Sequence, residues 1–462
     1  MTEKVSPFVR ERVDALLPLV RFEREAYDRY GVRRGLRNPD GTGVMAGLTR
    51  LGDVRGYYIK DSARVPAPGR LTYRGVDLDE LTRGFLSENR SGYEETAYLL
   101  LFGELPDKKS LDALRAALSE YRELPQGFTE DMILAAPSRN VMNKLSRSVL
   151  ALYSYDPQPE TIGEDIAPEL ERALKLVARM PVIAANAYAA KRHYFDGESL
   201  HLRRSKPGLD LAENFLFLTR GAAYTKEEAR LLDLCLVLHA EHGGGNNSTF
   251  ACRVVSSSGS DIYSAVAAAV GALKGPKHGG ANESAEDMLE HIKSGVSDWS
   301  DDDEVRTYLS KILKKEAGNG DGKIYGMGHA IYTLSDPRAA LLRDTARALA
   351  EKKGVSDELR LIESVERLTP EAFAQSGHTP KTLCANIDLY SGFVYRMLGI
   401  PRDLYAPLFA AARIASLCAH RIEEIWGDAR GGRIIRPAYK AIAPERKYIP
   451  MGERREIAIN WL

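Results

Sequence analysis

The stretch from Leu231 to Asn282 constrains this chain more than any other, because two helix-like segments in it each run into a glycine cluster beside a histidine. The first segment is apolar, with Leu231, Leu234, Cys235 and Leu238 at helical spacing. Eleven residues at 3.6 per turn return almost to the starting angle, so His242 is expected to continue that face before Gly243, Gly244 and Gly245 stop the helix. The second segment, Asp261 to Leu273, carries Ala265, Ala268, Ala269 and Ala272, small enough for close helix packing. It ends at Gly275-Pro276, and His278-Gly279-Gly280 follows in backbone that glycine makes permissive. A histidine just past a helix end, flanked by glycines, can present its ring to a ligand with little steric cover. The plainer alternative is a set of buried or capping histidines on an alanine-rich bundle.

At 462 residues the chain exceeds the usual size of one core, so a large domain with a smaller partner is expected. Basic and acidic residues number 64 each, which gives no field to draw nucleic acid or an anionic membrane. Cys235, Cys252, Cys384 and Cys418 form no C-x-x-C pair and read as small core residues in a reducing compartment. MTEKVSPFVRER has no apolar central region and no stretch approaches a membrane span, so a cytoplasmic location is expected.

In order, residues 1–30 suggest one amphipathic helix. Asp53 to Tyr73 has the content of a short hairpin, with Pro66-Ala67-Pro68-Gly69 as its turn. Helices are expected from Glu94 to Phe102, up to Tyr121 from Asp107 or Ser110, over Pro137–Tyr155, Glu169–Tyr194 and Leu209–Thr219, and later over Lys381–Leu398 and Tyr405–Trp426. Shorter polar helices are expected over Ala285–Ser294 and Asp303–Lys315, the second capped by the acidic run Asp301 to Glu304. Gly318 to Lys323, GNGDGK, is one residue short of a phosphate loop and lacks the following Ser or Thr. The chain reads as mainly α, with one small β element.

His242, His278, His329, Asp388 and Arg413 are odd for an ordinary helical core, since each lies among apolar residues or glycines where an unpaired polar group is costly. Two chemistries fit. One is a metal site, with His239 and His242 one turn apart and His278 or Asp388 as a third ligand, although H-E-x-x-H is absent. The other is acid–base carbon chemistry, with aspartate as base, neutral histidines as donors to developing oxyanions, and arginines clamping carboxylates.

The motifs HAEHGGGNNST, GPKHGGAN, GMGHAIYTLSDPR and NIDLYSG, in this order, resemble citrate synthases of the bacterial kind, and LTYRGVDLDEL, EETAYLLLFGELP and RMPVIAANAY support the match from about Leu71 to Pro437. The resemblance implies a two-domain helical fold: a large domain, 1–281 with 391–462 (1–55 as an arm), and a small one, 282–390, that closes over the substrates. It implies no metal and no cofactor, with acetyl-CoA as co-substrate. His242 would hydrogen-bond oxaloacetate, His278 would donate to the thioester oxygen, Asp388 would take the methyl proton, and His329 would polarise the ketone. Arg338 and Arg413 would hold the oxaloacetate carboxylates, and Arg436 would reach into the partner's site of a homodimer. Attack on the si face is implied in the same way.

Departures from the family pattern bear on coenzyme A. Lys277 stands where leucine is common, and Thr333 where many members carry a basic residue, so Lys277 and Lys323 are the replacement phosphate contacts, beside Gly326, Met327 and Gly328. Glu241 stands where the family often has aspartate. The first 50 or so residues do not resemble the regulatory domain of the NADH-inhibited members, so no NADH control is expected. The nearest rival is 2-methylcitrate synthase, acting on propionyl-CoA with the same residues. A zinc hydrolase on His239, His242 and His278, or an inactive scaffold, are the rivals from other classes.

Overall fold

The computed structural model describes residues 6–160, 163–376, 383–428 and 432–453, and its contacts sort into two units. The unit of Met1–Ala46 with Arg436–Leu462 holds helices α1 (Pro7–Val20) and α2 (Arg24–Arg29). The single helix expected over residues 1–30 is broken: Glu23 is extended (φ −64°, ψ 144°), and Pro18, inside α1, withdraws a main-chain donor near the helix end. Val9, Val13, Leu16, Val20 and Phe22 are exposed.

The unit Gly47–Ile435 begins with a hairpin of β1 (Gly52–Lys60) and β2 (Ala63–Tyr73), to which β3 (Val76–Asp77) adds a short third strand. Its turn is not Pro66–Gly69. Lys60 pairs with Ala63, so Asp61 and Ser62 make the turn, both at positive φ (49° and 62°), the conformation that suits the strand twist. Pro66 instead pairs with Tyr57, next to a register break between Arg55 and Tyr57. Proline is tolerated there because the ladder is already interrupted.

Among the described residues fifteen α-helices follow: α3 (Leu78–Ser87), α4 (Tyr93–Phe102), α5 (Lys108–Tyr121), α6 (Val141–Ala151), α7 (Ala167–Asp196), α8 (Leu211–Arg220), α9 (Lys226–His239), α10 (Asn247–Ser256), α11 (Ile262–Leu273), α12 (Ala281–Gly295), α13 (Asp302–Leu313), α14 (Pro337–Lys352), α15 (Ser356–Gln375), α16 (Asp388–Met397) and α17 (Tyr405–Trp426). Eight of these starts carry a side-chain cap. Asp107 accepts from the Ser110 amide at 2.7 Å, Asp261 from Ser264 at 2.8 Å, and Asp301 from Asp303 and Glu304, which accounts for the acidic run. Asp210 and Thr225 open α8 and α9 with full capping boxes.

The core sits around α17. Every residue from Tyr405 to Arg421 is buried, and α4, α7, α9, α10 and α11 all pack against it. A helix apolar on all sides has no other stable place, and each fully buried leucine or isoleucine on it contributes roughly 1.5–3 kcal/mol. In the region 282–390, α13 packs on α15, while α14 packs on α15 and α16 and also reaches α9. Among the described residues no helix is long and apolar enough to cross a membrane.

Two glycines let the hairpin press on the loop between His329 and Arg338. A Cβ on Gly56 would lie 2.5 Å from both the Ile331 carbonyl oxygen and the Tyr332 Cα, and one on Gly69 would strike the Ser335 carbonyl. The Gly69 amide donates to the Ser335 hydroxyl (2.9 Å) and the Ala67 amide to Thr333 (3.3 Å). Gly56→Ala is therefore expected to destabilise the protein by about 1–3 kcal/mol through overpacking against backbone. Urea unfolding measures this, and a change below about 0.5 kcal/mol would mean that the strand and loop are not pressed together.

Candidate active site

His242 does not continue the face of α9. The helix ends at His239, whose Nδ1 donates to the Cys235 carbonyl (2.8 Å). The His239 carbonyl, which would accept the Gly243 amide in a longer helix, accepts Arg413 Nε instead (2.7 Å). The Gly243 amide turns to the Glu241 carboxylate, and Gly243 takes φ +79°. The helix thus stops because two side chains have claimed its next rung, and His242 is left on a buried turn.

Around that turn the predicted residues draw together. The His242 ring lies 5.0 Å from that of His329 and 5.6 Å from that of Tyr332, and its Nε2 is buried without a partner. His329 Nδ1 accepts the Ile331 and Tyr332 amides, both at 3.1 Å, which puts the proton of the neutral ring on Nε2. Arg338 is buried; its Nε and Nη2 are bound by Asp336 at 3.0 and 2.7 Å, and its guanidinium stands 5.7 Å from the Tyr332 ring centre. Arg413, on α17, is 0% exposed, sits over Phe409 (4.9 Å), and keeps both Nη1 and Nη2 without a partner. Burial drives His242 well below the ordinary histidine range, helped by Arg338, His329, Arg413 and His278. Arg413 is lowered to about 10 by burial, with Glu241 opposing, and so stays charged at neutral pH.

The second half of the site is built by a clip between two loops. Gly326 and Gly328 adopt φ +78° and +92°; the Gly328 amide donates to the Cys384 carbonyl and the Asn386 amide to the Gly326 carbonyl, both at 2.8 Å. The Asn386 side chain donates to the Gly328 carbonyl (2.8 Å) and accepts the Asp388 amide (3.0 Å). This fixes His329 and Asp388 relative to each other. It also corrects the expected helix over Lys381–Leu398: Lys381 and Thr382 lie outside the described residues, Met327 and Ala385 form a β-bridge, and α16 starts only at Asp388. Burial raises the Asp388 carboxyl to about 6, against the pull of nearby Arg338 and with a push from Asp336.

His278 follows α11 on the turn that leads into α12. Its Nε2 is 3.1 Å from the Ser248 hydroxyl, and Phe409 meets its ring edge to face at 5.9 Å. Burial and then Arg413 hold it down at about 4. Lys277 and Lys323 are exposed, the latter 3.5 Å from Asp321. The Thr333 hydroxyl is committed to the hairpin, donating to the Gly56 and Ala67 carbonyls. Arg436 is exposed and belongs to the other unit. Among the described residues no group of three or more His, Cys, Asp or Glu is arranged to hold a metal ion.

The chain matches the family model described as citrate synthase, C-terminal domain, over residues 41–438. The chain belongs to the citrate synthase family. It is 35% identical to the citrate synthase of Deinococcus radiodurans over 394 residues, 84% of this chain and 93% of that one. It is 32% identical to the 2-methylcitrate synthase of Shewanella oneidensis over 387 residues, 83% of this chain and 92% of that one. Among solved structures, the Thermoplasma acidophilum citrate synthase in ternary complex with carboxymethyl coenzyme A and oxaloacetate superposes with a TM-score of 0.73, at 27% identity, over 92% of this chain and 99% of that one. The mainly helical architecture is that of the family.

Reading the citrate synthase motifs alone missed the residues that hold the site in place. Asp336, Ser248, Asn386 and Tyr332 all lie inside the quoted motifs, yet only their contacts in the folded chain give them a task; Phe409 and His420 carry no signal beyond being aromatic or polar on an apolar helix. Asn386→Ala removes the side-chain half of the clip and is expected to cost about 1–3 kcal/mol by leaving the Gly328 carbonyl and Asp388 amide unmet. Hydrogen exchange should then accelerate at the Gly328 and Asp388 amides before it does along α17; unchanged protection there would mean that the clip does not hold the loops.

Proposed function

We propose that this chain is an acyltransferase of the citrate (Si)-synthase type, condensing acetyl-CoA with oxaloacetate and hydrolysing citryl-CoA to citrate and coenzyme A. One observation carries the reading: Arg413 is wholly buried with two guanidinium nitrogens unmet, beside the unmet Nε2 of His242 and the buried Arg338. Two buried cations and a neutral donor in one pocket suit a small dicarboxylate with a ketone, since each unmet donor costs about 1–3 kcal/mol until an acceptor arrives.

In this reading Asp388 removes a methyl proton from the thioester, and the His278 ring donates to the thioester oxygen as it becomes enolate-like. The new carbon nucleophile attacks the oxaloacetate ketone, whose oxygen accepts from His329 Nε2. Arg338, Arg413 and His242 hold the carboxylates, and water then cleaves the citryl thioester. A carboxyl raised to about 6 is a stronger base toward a weak carbon acid than an ordinary aspartate, while histidines kept neutral donate without surrendering a proton. Each such donor is worth about 3 kcal/mol of barrier.

Further parts of the proposal rest on the family resemblance: closure of residues 282–390 over the substrates, a cytoplasmic homodimer in which Arg436 completes the partner's site, and backbone contacts from Gly326, Met327 and Gly328 to coenzyme A. Lys323 or Lys277 would meet its phosphates, and no cofactor or metal is required. The second reading, 2-methylcitrate synthesis from propionyl-CoA, keeps every role and is favoured by the Shewanella relative. One methylene changes binding by only about 1–3 kcal/mol.

Thiol release with oxaloacetate and either acyl-CoA tests the proposal. Faster turnover of acetyl-CoA is expected, a preference for propionyl-CoA would select the second reading, and no release with either would overturn both. Asp388→Asn should lower kcat by about 10²–10⁴-fold. Because the base must be ionised, kcat/KM for the acyl-CoA should be flat above pH 6 and fall tenfold per unit below about 6; an acid limb that persists unchanged in Asp388→Asn would exclude Asp388 as its source. Arg413→Gln should raise KM for oxaloacetate roughly 10- to 100-fold, the worth of one charged hydrogen-bonding group.

A further inference from the structure

Behind the oxaloacetate pocket lies a buried chain of polar groups that the mechanism above does not use. Glu241 is 0% exposed, and both its oxygens stand 3.1 Å from Nε2 of His420, itself 0% exposed. His420 Nδ1 accepts from Arg253 Nε (3.1 Å) and Nη2 (2.7 Å), so its ring proton lies on Nε2 and is donated to Glu241. Arg253, on α10, is anchored in turn by Glu424 (2.7 Å) and Glu423, and Glu423 accepts the Arg50 amide (2.7 Å) ahead of the hairpin. The hydrogen bonds diverge from Arg253, outward to Glu423 and Glu424 and inward through His420 to Glu241.

Arg413 and His420 are seven residues apart on α17, two turns, and so share a face. Arg413 grips the 239–243 turn at the His239 carbonyl; His420 grips it at Glu241, which also holds the Gly243 amide. His242 sits between these two grips. Glu241 is also the carboxylate that acts on Arg413. Stability does not call for such a chain, because well-packed apolar residues of similar volume are often as stable as buried ion pairs or more so.

We propose that Glu241, His420 and Arg253 are positioning residues for the oxaloacetate pocket, fixing the turn that presents His242. The inference rests on the reading of this pocket as the oxaloacetate site. It predicts a split between substrates, since nothing in the chain touches His278, Asp388 or the 326–328 loop.

The test compares His420→Leu, which breaks the link between Glu241 and Arg253, with His420→Gln, whose amide can accept from Arg253 and donate to Glu241 at once. His420→Leu is expected to weaken oxaloacetate binding to the full-length protein at least tenfold by calorimetry and to raise KM for oxaloacetate by the same factor, with KM for the acyl-CoA changed less than threefold. His420→Gln should return both values to within threefold of wild type. Oxaloacetate affinity within twofold of wild type in His420→Leu, or equal losses for both substrates, would overturn the inference. Should His420→Leu not fold, Glu241→Gln, which keeps an acceptor for the Gly243 amide, takes its place with the same two outcomes. Failure of the wild-type protein to bind oxaloacetate would instead overturn the reading of the pocket.

Discussion

The structure depends on one guanidinium. Arg413 stands in a helix that is buried from Tyr405 to Arg421, where a cation is costly unless its donors are met. The protein meets one of them, with the His239 carbonyl, and leaves the two Nη groups unmet. That single bond also ends α9, turns the chain toward His242, and ties the turn to the core. Because α17 packs against α4, α7, α9, α10 and α11, the position of the unmet donors is set by the whole bundle. A buried guanidinium with unmet donors costs stability until an acceptor reaches it, which is why a carboxylate is the ligand proposed for it.

The reacting groups are placed by short loops rather than by helices, and each loop is pinned to something rigid. The 326–329 loop is clipped to 384–386 by main-chain and Asn386 hydrogen bonds. The 331–335 segment is pressed by the hairpin through Gly56 and Gly69. His329 is therefore held on both sides: by its own Nδ1 accepting two following amides, and by a clip whose other end carries Asp388. The clip ties Asp388 and His329 together, which preserves their mutual geometry.

The fold was largely legible where burial and periodicity agree. The Tyr405–Trp426 helix, the caps at Asp107, Asp261 and Asp301, and the hairpin over Asp53–Tyr73 could be read because each rests on local spacing or a local side chain. The break after Val20 is local, at Pro18 and Glu23, but three other departures share one cause, a distant partner overriding a local preference. Pro66–Gly69 is a stronger turn sequence than Asp61-Ser62, yet it is held extended by Thr333 and Ser335. Leu383–Ile387 looks helical, but its main chain is spent on the 326–328 loop. His242 has helical spacing, but the carbonyl that would extend α9 belongs to Arg413. Of the site, the residues proposed to react were visible as polar groups in apolar or glycine-rich surroundings. Asp336, Asn386 and His420, whose work is to hold others, were not, since their partners are chosen only by the folded chain.

One physical effect, burial, moves the two kinds of group in opposite and complementary directions. It raises Asp388 to about 6, toward the strength a proton acceptor needs, and lowers His278 to about 4 and His242 further, so that they remain neutral donors. Arg413 reinforces the lowering of both histidines and Arg338 that of His242, while Arg338 opposes the rise of Asp388. Between pH 6 and the titration of Arg413 near 10, the base is ionised, the histidines are uncharged and the arginines are charged, so a single protonation pattern serves the whole range. A site with its histidines exposed at their ordinary values would lose that pattern within a pH unit of neutrality. The low polarity of the pocket is thus a working part of it, and the same apolar helices that stabilise the fold supply it.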